Sequence, residues 1–153
     1  MAINMNLEQK VNELEQIIKA IDEKVEHLQS IVQRLSICKL EDPRYPYYNW
    51  TVSMNISEEK KCLAETVLAI LATRLSGQKV SDFKKEIEGI PSEMLYKDDM
   101  PNYKDAEIML MTVLKLNHKG HIPLLLKKIY AEGRFEKICE YLLDEIGEDV
   151  FGE

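Results

Sequence analysis

The sequence predicts an all-α fold, in which a long N-terminal coiled-coil helix precedes a compact bundle of four or five helices. Only 6 of the 153 residues are glycine and 5 are proline, which argues against a β fold that needs many tight turns. The N-terminal segment repeats apolar residues with a helical period, and the remainder shows apolar helical segments between turn signals and no convincing strand. With 45% hydrophobic residues, the chain can build a core.

The N-terminal helix, predicted over residues 1–38, carries the heptad pattern of a coiled coil. Its apolar residues alternate at spacings of four and three without a slip. The a positions hold β-branched residues and the d positions hold mostly leucine, which in a parallel pair of helices favours two strands. The expected interface consists of Leu7, Val11, Leu14, Ile18, Ile21, Val25, Leu28, Val32 and Leu35.

The partner of this helix is expected to be a second copy of the chain. A homodimer is favoured, and Lys10 at a g position would then face the partner's Glu15 at an e position. Ile17 and Ile31 occupy other g positions and widen the apolar stripe, which leaves a trimer open. The alternative is a long amphipathic helix that folds back onto its own domain, but unbroken heptads of this length favour pairing between chains.

A helical bundle domain is predicted over residues 39–147. Pro43 and Pro46 break the first helix, because the residue before a proline is pushed out of the helical region. Ser57 is the expected N-cap of the next helix, which Gly77 ends. This helix is apolar on nearly every face, so it is expected to be central and buried.

The second half of the bundle has less regular signals. Ser81 is predicted to cap a short helix that ends at Gly89. Asn102 resembles the start of a capping box, and the helix after it is expected to end at Gly120. Two further helices follow, and residues 148–153 are expected to form a solvated acidic tail.

An aromatic segment after the first helix is the strongest candidate for a binding surface. It contains Arg44, Tyr45, Tyr47, Tyr48 and Trp50, and these residue types dominate the energetics of protein interfaces. The alternative is a structural plug that closes the bundle. Residues three apart share a helix face, so Tyr47 and Trp50 are predicted to enter the core and Tyr48 to be more exposed.

Composition and motifs argue against several classes of function. The net charge of −7 opposes capture of nucleic acid or of an anionic membrane. His118 and His121 flank a helix break and lack the further ligands of a zinc site. A nucleophile elbow and a glycine-rich phosphate loop are both missing. The sequence therefore predicts a protein that is not an enzyme and has no metal and no cofactor.

The sequence also indicates a soluble cytoplasmic protein. The first residues lack the apolar core of a signal peptide, and no segment has the length of a transmembrane helix. The cysteines are three in number and widely spaced, unlike a disulfide framework. Cys62 and Cys139 lie among apolar neighbours and are expected to be buried as free thiols.

Four short motifs carry a family resemblance. They are Arg44-Tyr45-Pro46-Tyr47-Tyr48, Ile56-Ser57-x-Glu59, Leu116-Asn117-His118-Lys119 and Ile129-Tyr130-Ala131-Glu132-Gly133. With them the chain resembles the YhaI-like family, small bacterial proteins of unknown function, over residues 38–77 and 104–146. The resemblance implies an all-helical fold and brings no known activity or catalytic residue. The N-terminal helix is longer here, and residues 78–103 look like an insertion.

Two functions fit these features. The first is a non-enzymatic homo-oligomeric protein that binds another protein. The second is a small-molecule binding or sequestering protein with an aromatic pocket at the oligomer interface, and an inhibitor encoded by a mobile element could belong to either class. A deep pocket lined by Tyr47, Tyr48 or Trp50 would favour the second function, whereas an exposed apolar patch would favour the first.

Overall fold

A computed structural model describes residues 2–38, 41–80 and 85–151 of the chain. The part of the chain that it describes is helical without strands, which confirms the all-α prediction. Its helices are α1 (Ala2–Cys38), α2 (Pro46–Ser53), α3 (Glu58–Leu75), α4 (Ser92–Leu95), α5 (Tyr103–Leu114), α6 (His121–Ala131) and α7 (Glu136–Glu145).

The chain divides into two compact units, Met1–Leu40 and Glu41–Glu153. The first unit consists essentially of α1, which spans 37 residues. At 1.5 Å per residue this helix is about 55 Å long. It contains neither glycine nor proline, so no residue type that breaks helices interrupts it. The long N-terminal helix was predicted to end near Cys38, and it does.

The second unit has one core built around α3. This helix packs against α4, α5 and α7, while α6 packs against α2 and α7. The predicted central position of α3 agrees with these contacts, although Ala69 on its outer side is exposed. Fully burying a large apolar side chain contributes about 1.5–3 kcal/mol. The largest fully buried side chains are Tyr47, Leu68, Leu71, Leu95, Met109, Leu110, Leu114, Ile122, Leu125, Leu126, Ile129 and Ile138.

Two helix starts in the bundle follow the predicted capping chemistry. The Ser57 hydroxyl accepts a hydrogen bond from the Lys60 amide at the start of α3. At the start of α5, the Asn102 side chain accepts from the Asp105 amide and donates to the Asp105 carboxylate. Each cap satisfies an amide that would otherwise have no acceptor within the helix.

Arg74 ties the segment after α3 to the core. It lies near the C-terminal end of α3 and is only 3% exposed. Its Nε donates to the Asp99 carbonyl at 3.1 Å and its Nη1 to the Met94 carbonyl at 3.2 Å. Because a buried charge is costly unless it is hydrogen-bonded, these contacts hold residues 94–99 against the helix.

The prediction of a short helix over residues 81–89 is wrong for residues 85–89, which the structure describes. Ser81, its expected cap, lies outside the described residues, and Lys85 to Gly89 are not helical. Ile87 and Ile90 instead form an isolated antiparallel bridge around a tight turn. Gly89 has a φ of +82°, and a Cβ at this position would lie 2.8 Å from the Thr112 methyl carbon. The tight turn and the close approach of Thr112 therefore require glycine at position 89, which does not end a helix.

The helix α5 ends earlier than predicted. Its last residue is Leu114, and Lys115 follows in the left-handed conformation with a φ of 53°. The expected stop, Gly120, directly precedes α6 instead. A lysine at a left-handed C-cap position is uncommon, so the composition of this segment could not indicate the earlier end.

The two thiols and the acidic tail differ in part from the prediction. Cys139 is buried, and burial raises the pKa of its thiol to about 12, whereas Cys62 is exposed, so its predicted burial is wrong. The described part of the tail, residues 148–151, is solvated only in part. Glu148 forms an ion pair with Lys127 at 2.9 Å, and Val150 packs against the core.

Candidate functional site

The aromatic segment of the bundle forms α2 and the turn before it. Tyr47 and Trp50 are 1% and 6% exposed and belong to the core, whereas Tyr48 is 53% exposed. The predicted division of the helix faces is therefore confirmed. Tyr45, just before the helix, is also exposed. The structure thus separates the five predicted surface residues into two buried anchors and an exposed group.

The start of α2 is capped by a residue distant in the sequence. Pro46 occupies the first turn, and the preceding Tyr45 makes no capping hydrogen bond with its side chain. The Glu132 carboxylate, just after α6, instead accepts from the amides of Tyr47 at 3.0 Å and Tyr48 at 3.2 Å. A carboxylate is favourable at this position because the helix dipole places partial positive charge at the N-terminus.

We expect Glu132→Ala to lower the free energy of unfolding by about 1–2 kcal/mol, the usual effect of losing an N-cap. Urea denaturation measures this change. Glu132→Gln keeps an acceptor oxygen and should cost less. Glu140→Ala, a change of the same type at an exposed position of α7, is the matched control. Equal stability of the Glu132→Ala and Glu140→Ala variants would show that the cap does not stabilise α2.

The buried side of the segment contacts a charged cluster. The Arg134 guanidinium lies 5.4 Å from the centre of the Tyr47 ring. Arg134 also pairs with Glu65 at 2.9 Å and, at 3.9 Å, with Glu132. Burial, and after it the Glu65 carboxylate, raises the pKa of Tyr47 well above its ordinary value. The phenol is therefore neutral at physiological pH, and its ring serves as a core side chain and a platform for a cation.

The exposed side of the segment is held in place by local contacts. Arg44 binds the Asp42 carboxylate with two nitrogens, at 3.0 Å from Nε and 2.7 Å from Nη2. The same guanidinium lies 5.6 Å from the centre of the Tyr45 ring. The hydrogen bonds that Arg44 donates to the Asp42 carboxylate raise the pKa of Arg44, so the guanidinium stays charged. This arrangement restricts Arg44 and Tyr45 before any partner binds.

Val52 extends this exposed surface and was not among the predicted site residues. It is 39% exposed, and it follows Tyr48 by four residues on α2. Residues four apart in a helix share a face, so the spacing of Tyr48 and Val52 could have indicated it. We use the name aromatic surface for Arg44, Tyr45, Tyr48 and Val52.

The predicted oligomer interface forms a second exposed surface. Every a and d side chain between Leu7 and Leu35 is exposed, from 45% at Val25 to 63% at Leu7 and Leu35. Ile17, at a g position beside them, is 54% exposed. The heptad pattern therefore becomes a continuous apolar stripe along α1. We call these a and d residues the apolar stripe.

The histidine pair has local contacts of its own. The rings of His118 and His121 lie edge to face with their centres 5.7 Å apart. His118 Nδ1 accepts a hydrogen bond from the Gly120 amide at 3.0 Å, which occupies one of its two nitrogens. Among the described residues, no group of three or more His, Cys, Asp or Glu side chains could hold a metal ion.

Within the same residues, no helix is long and apolar enough to cross a membrane. Comparison of the chain with family models, with curated proteins and with solved structures found no match.

Proposed function

We propose that the protein is a non-enzymatic homo-oligomeric interaction protein that binds another protein. The observation that carries this proposal is the exposed apolar stripe of α1, whose a and d side chains are all at least 45% exposed. Contiguous exposed apolar surface of this extent is rare on monomers and marks interaction sites. A second copy of the chain offers the same stripe and can bury it in a dimer.

The aromatic surface is the proposed site for the other protein. Tyr45 and Tyr48 present large side chains with a polar tip, which bury much area at a small cost in conformational entropy. Arg44 already donates two hydrogen bonds to Asp42, and a side chain held in one geometry loses less freedom on binding. Tyr47 and Trp50 support this surface from below by filling the core.

Protein binding is preferred over the small-molecule alternative because of where the aromatic side chains lie. The predicted small-molecule pocket would be lined by Tyr47, Tyr48 or Trp50. Tyr47 and Trp50 are buried in the core, so their side chains are not accessible to a ligand. The exposed Tyr48 shares its helix face with Val52, which suits a surface contact. The proposal includes a relation to the YhaI-like family, which the four motifs support, and a cytoplasmic location.

An affinity pull-down from the native host tests the binding of another protein. Wild-type chain, a Tyr45→Ala and Tyr48→Ala double variant, and an Ile108→Ala control are compared by mass spectrometry of proteins and metabolites. Ile108 is an exposed apolar residue on α5, outside the aromatic surface. We expect a protein that wild type and the control retain and the double variant loses. Retention of a metabolite alone would favour the small-molecule function, and equal retention by all three would remove the aromatic surface as the site.

A further inference from the structure

The charges beside the apolar stripe are segregated by heptad position. The e positions contain the acids Glu8, Glu15 and Asp22 and no base. The g positions contain the bases Lys10 and Lys24 and no acid. These five side chains are exposed on α1 and flank the stripe on its two sides. Such flanking charges set the orientation of helices in a coiled coil.

The two orientations bring different positions together. In a parallel in-register pair, each g residue faces the e residue five positions later on the other helix, so Lys10 meets the partner's Glu15 twice per dimer. None of the other parallel contacts is a like-charge pair, and they join Ile3 to Glu8, Ile17 to Asp22, Lys24 to Gln29 and Ile31 to Ser36. Parallel pairing therefore has attractive contacts and no repulsive ones.

Antiparallel pairing instead brings e positions opposite e positions and g positions opposite g positions. Acids at e positions can then face only acids or neutral residues, and lysines at g positions can face only lysines or neutral residues. No register creates an attractive pair, and like charges opposite each other are unfavourable. The core residues of the stripe also favour parallel pairing, because β-branched residues at a and mostly leucine at d suit a parallel dimer.

We infer that α1 pairs with a second copy in parallel and in register, an inference that rests on the self-association proposed above. Both copies then leave their helices at the same end. In an antiparallel pair the two ends would be separated by the helix length of about 55 Å. Parallel pairing thus connects both second units, each with its aromatic surface, to the same end of the coiled coil.

Charge reversal at Lys10 and Glu15 distinguishes the orientations in the full chain. In a parallel dimer, Lys10→Glu and Glu15→Lys each replace two attractive pairs by two repulsive ones, so each should raise the dimer dissociation constant on the order of tenfold. An equimolar mixture of the two variants restores opposite charges and should recover the wild-type affinity. Lys19→Glu and Glu26→Lys, at b positions on the outer face, are the matched controls.

Sedimentation equilibrium at low salt measures these constants, and the differences should shrink in 1 M salt, where exposed charges are screened. In every antiparallel register Lys10 faces an isoleucine, a lysine or an uncharged end, so Lys10→Glu would leave association unchanged or strengthen it. That result in a dimeric protein would overturn the orientation alone. A wild-type chain that stays monomeric would overturn the self-association and the orientation together.

Discussion

Trp50→Ala is expected to lower the free energy of unfolding by about 3–5 kcal/mol, the usual cost of emptying a buried aromatic site. Trp50 is 6% exposed and belongs to the core of the second unit. The two turns of α2 offer few other core contacts, because only Tyr47 and Thr51 are buried besides it. The short helix cannot close the cavity without losing its position on α6.

Tyr48→Ala is the control variant for Trp50→Ala. Tyr48 lies on the same helix but is 53% exposed, so its truncation should change stability by less than about 0.5 kcal/mol. Denaturant unfolding of both variants separates the buried from the exposed face. A nearly neutral Trp50→Ala together with a strongly destabilised Tyr48→Ala would contradict the arrangement of α2.

Replacing Val25 and Leu28 with glutamate should separate the copies of the chain. The two residues are neighbouring a and d positions in the middle of the apolar stripe. A dimer would have to bury four unpaired carboxylates there, which is too costly for the interface to persist. An isolated amphipathic helix is only marginally stable in water, so part of α1 should also unfold.

Sedimentation velocity measures the loss of association, and circular dichroism at 222 nm measures the loss of helicity. Asn12→Glu with Gln16→Glu adds the same charge at b and f positions, on the outer face of α1, and is the matched control. The control should retain both the wild-type mass and the wild-type helicity. Loss of association in both variants would implicate net charge rather than the apolar stripe.

Local sequence signals predicted the parts of the fold that depend on neighbouring residues. The heptads determine the length and the apolar stripe of α1, and the Ser57 and Asn102 caps use partners three residues away. The exposed face of Tyr48 follows from helical period alone. Val52 lies on the same face, and it was missed because the prediction applied the helical period to the aromatic residues alone.

Contacts between distant residues account for the features that the sequence could not indicate. The Glu132 carboxylate caps α2 from 85 residues beyond Tyr47. Gly89 was interpreted as a helix end because its close approach to Thr112 is a tertiary contact. The Arg74 side chain likewise hydrogen-bonds carbonyls at least 20 residues away. None of these partners is marked by spacing or composition.

The molar mass of the wild-type chain in solution tests the central claim most directly. Size-exclusion chromatography with light scattering at micromolar concentration should give twice the 17.8 kDa mass of one chain. In such a dimer we expect the exposed apolar stripe of α1 to be buried against a second copy. A mass of 17.8 kDa over the whole concentration range would contradict the proposed self-association.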